Sequence, residues 1–150
     1  MGMKLLVIGG LGYIGSHTCI ELITAGYEVV VVDNLCNSSL EALKRVEKLS
    51  GSKIPLHKVD VRDKKSLTRV FEQYSIDGVI HFAGLKSVDE SIEKPIEYYN
   101  NNVGGTIILA EVMREFGCKT FVFSSSATVY GNPHTVPIEE NFPVSPTNPY

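Results

Sequence analysis

The sequence predicts an α/β protein with a doubly wound parallel sheet, and three observations lead to that prediction. Short β-branched runs alternate with amphipathic stretches of helical period, which is typical of βαβ units. A glycine-rich turn joins the first apolar run to the first helical stretch, as in many sheets of this class. Residues 29–32 are four consecutive valines, which suits a strand buried on both faces.

Five strands are expected, each a short apolar run of ordinary strand length. They are predicted at residues 4–8, 28–32, 54–59, 78–82 and 120–124. The 150 residues amount to about one domain, which is long enough to bury a single hydrophobic core around this sheet.

Helices are expected between the strands, where apolar residues recur every three or four positions. Gly26 is well placed to end the first helix, and Asp63 to cap the start of the third. A fourth, short helix stops at Pro95, where a long helix begins. The helices are predicted at residues 13–25, 40–49, 63–74, 88–93 and 95–116. Beyond Val129, five prolines predict a loop held as turns.

The long helix contains two features that need a reason. Gly104 and Gly105 together cost about 2 kcal/mol relative to alanine in a helix, for which close backbone contact with the sheet or a cofactor is the usual compensation. Apolar residues also lie on both flanks of this helix, which indicates burial or, alternatively, an intersubunit face. One stripe is Ile96, Tyr99, Val103, Ile107 and Ala110, and the other is Leu109, Met113 and Phe116.

Composition and charge exclude several classes of function. The net charge is −3 and the basic residues are scattered, so no nucleic-acid partner is expected. The three cysteines are far apart and indicate reduced thiols, and the four histidines lack metal-binding spacing, so no metal is expected. The first apolar run is too short for a signal-peptide core or a membrane span, which predicts a cytoplasmic location without a membrane partner.

The first strand–helix junction has the pattern G-x-x-G-x-x-G, formed by Gly9, Gly12 and Gly15. Glycine there allows a tight turn, lets backbone N–H groups approach a pyrophosphate, and lets helix and strand pack closely. A purely structural turn would need the same residues, but the strand–turn–helix context favours dinucleotide binding on a Rossmann-type sheet. Ser16 and His17 follow the last glycine in place of Lys and Ser or Thr, which excludes a P-loop.

Two acidic residues follow strands two and three. Asp33 can accept hydrogen bonds from the adenosine ribose hydroxyls, and its charge would repel a 2′-phosphate, so it favours NAD over NADP. A helix-capping or loop role is the alternative for Asp33. Asp60 lies where the adenine amino group would be, but it can equally be a turn residue.

Strands four and five are also followed by candidate site residues. Lys86 can neutralise a phosphate or bond a ribose hydroxyl, or can simply be an exposed lysine without a partner. The serines at 124–126 can place a hydroxyl beside the cofactor, where it would hold a reacting oxygen. No Ser–His–Asp arrangement or G-x-S-x-G turn is present, which disfavours nucleophilic hydrolysis.

Five stretches together resemble the extended short-chain dehydrogenase/reductase family, and within it the nucleotide-sugar 4-epimerases. They are GGLGYIGSHTC at residues 9–19, DNLCNS at 33–38, HFAGLK at 81–86, EYYNNNV at 97–103 and FSSSATVYG at 123–131. The resemblance spans essentially the whole chain. It implies NAD as cofactor, interconversion of UDP-galactose and UDP-glucose through a 4-keto sugar, and a full-length homodimer whose interface uses the long helix.

The resemblance also implies roles for individual residues. Ser126 would hydrogen-bond the sugar's 4-oxygen, and Tyr150 would be the tyrosine of the family's Tyr-x-x-x-Lys pair, which takes the 4-hydroxyl proton. Motifs and resemblance together predict as cofactor-binding residues Gly9, Gly12, Tyr13, Ile14, Gly15, Asp33, Asn34, Leu35, Cys36, Asn37, Ser38, Asp60, Val61, Phe82, Ala83, Gly84, Leu85, Lys86 and Asn101.

The resemblance further predicts that residues 1–150 form an NAD-binding domain without the family's lysine and UDP-sugar-binding part, so that the chain alone is inactive. The outer edge of strand five would then lack a neighbour, which favours self-association. Epimerisation of UDP-glucuronate or a UDP-N-acetylhexosamine stays open, as does NAD binding without catalysis. A 4,6-dehydratase would have an Asp-Glu pair where Ala127 and Thr128 stand.

Overall fold

The computed structural model describes residues 2–150 and contains one parallel sheet. Its strands are β1 Lys4–Ile8, β2 Glu28–Asp33, β3 Leu56–Lys58, β4 Gly78–His81 and β5 Thr120–Phe123. The strand order is β3-β2-β1-β4-β5, and each neighbouring pair is parallel. The predicted fold class is therefore confirmed.

Six α-helices are described along the chain. They are α1 Tyr13–Thr24, α2 Leu40–Ser50, α3 Lys64–Gln73, α4 Val88–Glu93, α5 Pro95–Tyr98 and α6 Gly105–Glu115. Two predicted signals act as expected: Gly26, just after α1, has a φ of +87°, and the Asp63 side chain accepts a hydrogen bond from Ser66 N–H at the start of α3.

The core forms on both faces of the sheet because side chains alternate along each strand. Leu6 and Val30 belong to the cluster that includes Leu67 of α3 and Leu109 of α6. Val7 and Val31 belong to the opposite cluster, with Cys19 of α1 and Val46 of α2. Burying each such aliphatic side chain contributes about 1.5–3 kcal/mol, so the middle strands fix the position of the carboxyl edge of the sheet.

β3 is shorter than the predicted 54–59 because Pro55 interrupts its start. Pro55 has no N–H to donate, although its carbonyl accepts from Val31 N–H at 2.9 Å. Ile54 is buried outside the ladder, and Glu47 accepts its N–H. The regular pairing therefore begins only at Leu56.

The prediction of one continuous helix over 95–116 is wrong, because a π-helical segment, Tyr99–Gly104, separates α5 from α6. A β-carbon on Gly105 would stand 2.5 Å from Cγ1 of Val61, so this glycine makes a close contact, but with a side chain that follows β3 and not with a strand. Gly104 has no contact of this kind. Widening of a helix by a π turn redirects the side chains that follow it, and such turns often mark functional sites.

The two apolar flanks of the long helix differ. Leu109 and Met113 are buried against the sheet. The other flank, which we call the apolar stripe, is exposed: Ile96, Tyr99, Val103 and Ile107 keep 75, 54, 50 and 54% of their surface. Simple burial is therefore wrong for the stripe, and the intersubunit alternative stays a prediction.

β5 forms one edge of the described sheet and is exposed along its whole length. Phe121, Val122 and Phe123 are apolar but keep 39, 54 and 52% of their surface. After β5, the chain makes a 3₁₀ turn at Ala127–Tyr130 and continues as turns to Tyr150, as the prolines predict.

Candidate functional site

The glycine turn lies between β1 and α1, and its shape depends on close backbone contacts. Gly9 has a φ of +76°, and a β-carbon there would stand 2.6 Å from the backbone nitrogen of Ala83. A β-carbon on Gly15 would overlap the carbonyl oxygen of Gly9. Glycine is therefore required by packing at both positions, and at Gly9 by backbone conformation as well.

The N-terminus of α1 is open to a ligand. Gly12 is its N-cap and supplies no side-chain hydrogen bond, so the first N–H groups of the helix lack a cap. Tyr13 and Ile14 in the first turn are 80% and 57% exposed. Uncapped N–H groups with the positive end of the helix dipole form a suitable position for a pyrophosphate.

Asp33 connects the glycine turn to the loop that follows β2. Its buried carboxylate accepts hydrogen bonds from Leu11 N–H at 3.0 Å, Leu35 N–H at 2.9 Å and Ser38 Oγ at 2.7 Å. Oδ1 accepts two of them and Oδ2 one, so one of the four acceptor positions of the carboxylate stays available to a ribose hydroxyl. Asp33 therefore does stabilise the loop after β2, as the alternative interpretation of the sequence held, and this role is compatible with ribose binding.

The loop after Asp33 is held in an unusual conformation. Leu35 has a φ of +62°, which a residue with a side chain rarely adopts. The hydrogen bonds from its N–H to Asp33 and from Cys36 N–H to Asn34 Oδ1 at 3.0 Å support this turn. Cys36 itself is exposed and is not part of a disulfide bond. Strained backbone of this kind is often found beside ligands.

Asp60 is engaged mainly by its neighbour Arg62. The guanidinium donates to both carboxylate oxygens, at 2.8 and 2.7 Å, and Asn34 Nδ2 donates to Oδ2 at 3.2 Å. The Arg62 hydrogen bonds hold the pKa of the Asp60 carboxyl well below its usual range. The turn-residue interpretation thus accounts for Asp60, and an adenine contact stays a prediction. The Val61 side chain is buried beside Gly105, so only its backbone is left for a cofactor.

The loop that follows β4, residues 82–87, lies against the glycine turn, and we call it the β4 loop. The N–H groups of Phe82 and Ala83 both donate to Ile8 O, at 2.8 and 3.1 Å. Asn102 holds the middle of the loop, because its Oδ1 accepts from Leu85 N–H and its Nδ2 donates to Leu85 O, each at 2.8 Å. Lys86 is exposed at the end of this loop.

Sequence reasoning missed Asn102, although a signal was present. Three asparagines in succession, 100–102, are poor helix formers in the middle of a predicted helix, and such a run needs a reason. The π-helical segment places Asn102 toward the β4 loop, while Asn100 is exposed and the predicted Asn101 donates to Asn102 Oδ1 at 2.9 Å.

His81 is the last residue of β4 and directly precedes the β4 loop. It is 1% exposed, and its Nε2 donates to Thr106 Oγ1 at 3.1 Å, since that hydroxyl itself donates to Asn102 O. Its Nδ1 has no hydrogen-bond partner. Burial lowers the pKa of His81 to about 4, so the ring is neutral at neutral pH.

Ser126 and Tyr150 are not joined by a hydrogen bond within residues 2–150. Ser126 caps the 3₁₀ turn, with its Oγ accepting from Thr128 N–H at 3.2 Å and lying 2.9 Å from Thr128 Oγ1. Tyr150 is partly buried at the end of the loop. Their catalytic roles stay predictions.

Other features of the surface do not coincide with these residues. One cavity of about 280 Å³ lies between α6 and β5, and another of about the same volume lies at the amino end of β1 and β2. Neither cavity is lined by a predicted site residue. Among residues 2–150, no cluster of three or more His, Cys, Asp or Glu side chains is suited to a metal ion. No helix in that range has the length and apolar character needed to cross a membrane.

The parallel sheet, the glycine turn and the acceptor at the end of β2 define a Rossmann-type α/β domain, a class of fold that commonly binds dinucleotides. A family model described as GDP-mannose 4,6 dehydratase matches residues 6–150, and the chain belongs to that family.

Individual relatives are more specific. The chain is 60% identical over 147 residues to a UDP-glucose 4-epimerase of Dictyostelium discoideum, covering 98% of this chain and 43% of the relative. It is 55% identical to that of Bacillus subtilis, covering 99% and 44%. A crystal structure of the Bifidobacterium longum UDP-glucose 4-epimerase with NAD+ and UDP superposes with a TM-score of 0.96 at 52% identity, over 99% of this chain and 44% of that one. The chain thus spans less than half the length of these relatives, and the predicted resemblance is confirmed.

Proposed function

We propose that this chain is the NAD-binding part of a nucleotide-sugar 4-epimerase that interconverts UDP-galactose and UDP-glucose. The main support is the convergence of three separate segments at the carboxyl ends of β1, β2 and β4. The glycine turn contacts the β4 loop through Gly9 and Ala83, and the loop after β2 through Leu11 and Asp33. The epimerase relatives, one of them crystallised with NAD+ and UDP, support the identity of the ligands.

The residues present fit NAD chemically. The uncapped N-terminus of α1 would bind the pyrophosphate, and the free acceptor position of Asp33 would bind a ribose hydroxyl. A 2′-phosphate would meet the charge of Asp33, so NAD is the expected form. Lys86, exposed in the β4 loop, would neutralise a phosphate. The other predicted cofactor residues lie on the same three segments or on the neighbouring end of β3 and the π-helical segment.

Catalysis would depend on Ser126 and Tyr150. The Ser126 hydroxyl would hold the sugar's 4-oxygen, and the Tyr150 phenol would take and return the 4-hydroxyl proton. When bound, the nicotinamide ring supplies a site that accepts and returns a hydride. The sugar would pass through a 4-keto form, turn over, and receive the hydride on its opposite face. Because the hydride is returned to the sugar, the overall reaction involves no net oxidation.

The finer parts of the proposal concern partners and setting. We place the chain in galactose metabolism and in the cytoplasm, for which the free cysteines give modest physical support. The exposed apolar stripe supports homodimerisation of the full-length protein. UDP-glucuronate and UDP-N-acetylhexosamines are the alternative substrates.

A chimera tests the activity. Residues 1–150 would replace the matching segment of the Bacillus subtilis relative, which shares 55% identity with them. We expect the chimera to convert UDP-galactose to UDP-glucose, and Ser126→Ala and Tyr150→Phe each to lower kcat by at least about 100-fold, as is usual for a lost proton-transfer or oxygen-holding group. A chimera that folds and binds NAD but does not convert UDP-galactose would contradict the proposed epimerase function. Full activity in both variants would refute the assigned roles.

A further inference from the structure

The hydroxyl of Tyr98 makes two hydrogen bonds to the start of α4. Tyr98 is 1% exposed, whereas the adjacent Tyr99 is 54% exposed. The Tyr98 hydroxyl accepts from Ser87 N–H at 3.0 Å and donates to Glu90 Oε2 at 3.0 Å. Both partners precede it in sequence, by 11 and 8 residues, so the phenol joins two separate segments.

Ser87 and Glu90 have the spacing of a capping box, in which a serine N-cap pairs with a glutamate three residues later. In the simple form, that glutamate accepts directly from the N–H of the N-cap. Here the Tyr98 hydroxyl lies between them, accepting from Ser87 and donating to Glu90. The Ser87 side chain completes the box by accepting from Glu90 N–H at 3.4 Å. The start of α4 is therefore fixed to α5 through Tyr98.

This attachment determines where the β4 loop ends. Phe82 and Ala83 attach the loop's first residues to β1, and Asn102 attaches Leu85. Ser87 is the last residue of the loop and directly follows Lys86. Without the Tyr98 hydroxyl, the backbone from Leu85 onward would have no hydrogen bond from α5 to fix its direction.

We propose that Tyr98 is a positioning residue for the dinucleotide, which fixes Ser87 and thereby holds the neighbouring loop backbone and Lys86 in the conformation that binds the cofactor. The inference rests on the proposed function, because it requires NAD beside the β4 loop. Lys94, 3.1 Å from Glu90 Oε1, supports the arrangement by keeping that carboxylate in place.

The test compares two adjacent tyrosines in the 150-residue chain. Tyr98→Phe removes the bridging hydroxyl from a buried ring, and Tyr99→Phe is the matched control at an exposed ring. Two quantities are measured: the exchange rate of the Ser87 amide without cofactor, by NMR, and the dissociation constant of NAD, by calorimetry. For Tyr98→Phe we expect Ser87 exchange and the NAD dissociation constant each to rise about fivefold, the factor that one net hydrogen bond is worth. Tyr99→Phe should change neither.

A second variant keeps the test decisive if Tyr98→Phe fails to fold. Glu90→Gln leaves the ring in place, alters a side chain that is 42% exposed, and should raise both quantities by a smaller factor. Unchanged Ser87 exchange or unchanged NAD affinity in the folded Tyr98 variant, or in Glu90→Gln if that variant stands in for it, would overturn the positioning role alone. If the wild-type chain binds no NAD, the proposed function fails and this inference fails with it.

Discussion

The two sides of the carboxyl edge of the sheet are held differently. On the β1–β2 side, the Asp33 carboxylate accepts three hydrogen bonds from two segments, and Gly9 touches the β4 loop. On the β5 side, the strand is exposed, and the Ser126 hydroxyl bonds only within its own turn. The chain's own packing thus organises the half of the site assigned to the dinucleotide, while the half assigned to the sugar is held by local contacts.

The largest effect is expected from Gly15→Ala. The new β-carbon would overlap the Gly9 carbonyl, and neither backbone can move without disturbing the glycine turn. We expect a loss of roughly 3–4 kcal/mol in the free energy of unfolding, despite the higher helix propensity of alanine. Urea denaturation measures this loss.

Gly12→Ala is the matched control, because its β-carbon would meet only the Gly9 oxygen at 3.4 Å. It should cost less than about 1 kcal/mol. Equal losses in the two variants would contradict the account of a tightly packed turn.

The next effect concerns His81, which lies between the two regions and packs against Phe121 and Phe123. Its folded-state pKa is about 4, below the 6.5 of the unfolded chain, so the unfolded state binds the proton more tightly. The stabilisation from the neutral ring is complete above pH 6.5 and is lost as the pH falls toward 4. That loss amounts to about 3 kcal/mol.

Urea denaturation at pH 7 and pH 4.5 measures most of this loss, and His81→Gln removes the titrating group. The pH dependence should be clearly smaller in the variant. His57 contributes in the same direction, because burial also lowers its pKa, and it is unchanged in both proteins. An identical pH dependence in both proteins would exclude His81 as the source.

A valine pair compares the two regions most directly. Val31 of β2 is fully buried and Val122 of β5 is 54% exposed. Val31→Ala should cost about 2–3 kcal/mol, because it leaves a cavity in the core, and Val122→Ala less than about 0.5 kcal/mol. Chemical denaturation of both variants measures the difference. A cost at Val122 equal to that at Val31 would mean that β5 is covered in solution, as by self-association along its edge.

The sequence predicted the sheet well because the strands are read from local apolar runs, and the four valines of β2 are an example. It failed where a long-range constraint decided the outcome. The π-helical segment follows from contacts of Gly105 with Val61 and of Asn102 with Leu85, which no helical periodicity shows. The start of β3 was misplaced because Ile54 is apolar and buried, yet lies outside the ladder beside Pro55.

For the site, motifs located the segments but not the partners of each side chain. Gly9, Gly15 and Asp33 could be chosen because a turn and a strand end leave few suitable residue types. The Arg62 pairing of Asp60 and the roles of Asn102 and Tyr98 depend on geometry between segments, so a single sequence does not reveal them.

The central claim is that the carboxyl edge of β1, β2 and β4 binds NAD, with the Asp33 carboxylate accepting a hydrogen bond from a ribose hydroxyl. Calorimetric titration of the chain with NAD and with NADP tests it most directly. The account predicts saturable binding of one NAD per chain and at least about tenfold weaker binding of NADP, with that preference reduced in Asp33→Asn. Equal affinity for the two dinucleotides, or no binding of NAD, would contradict it.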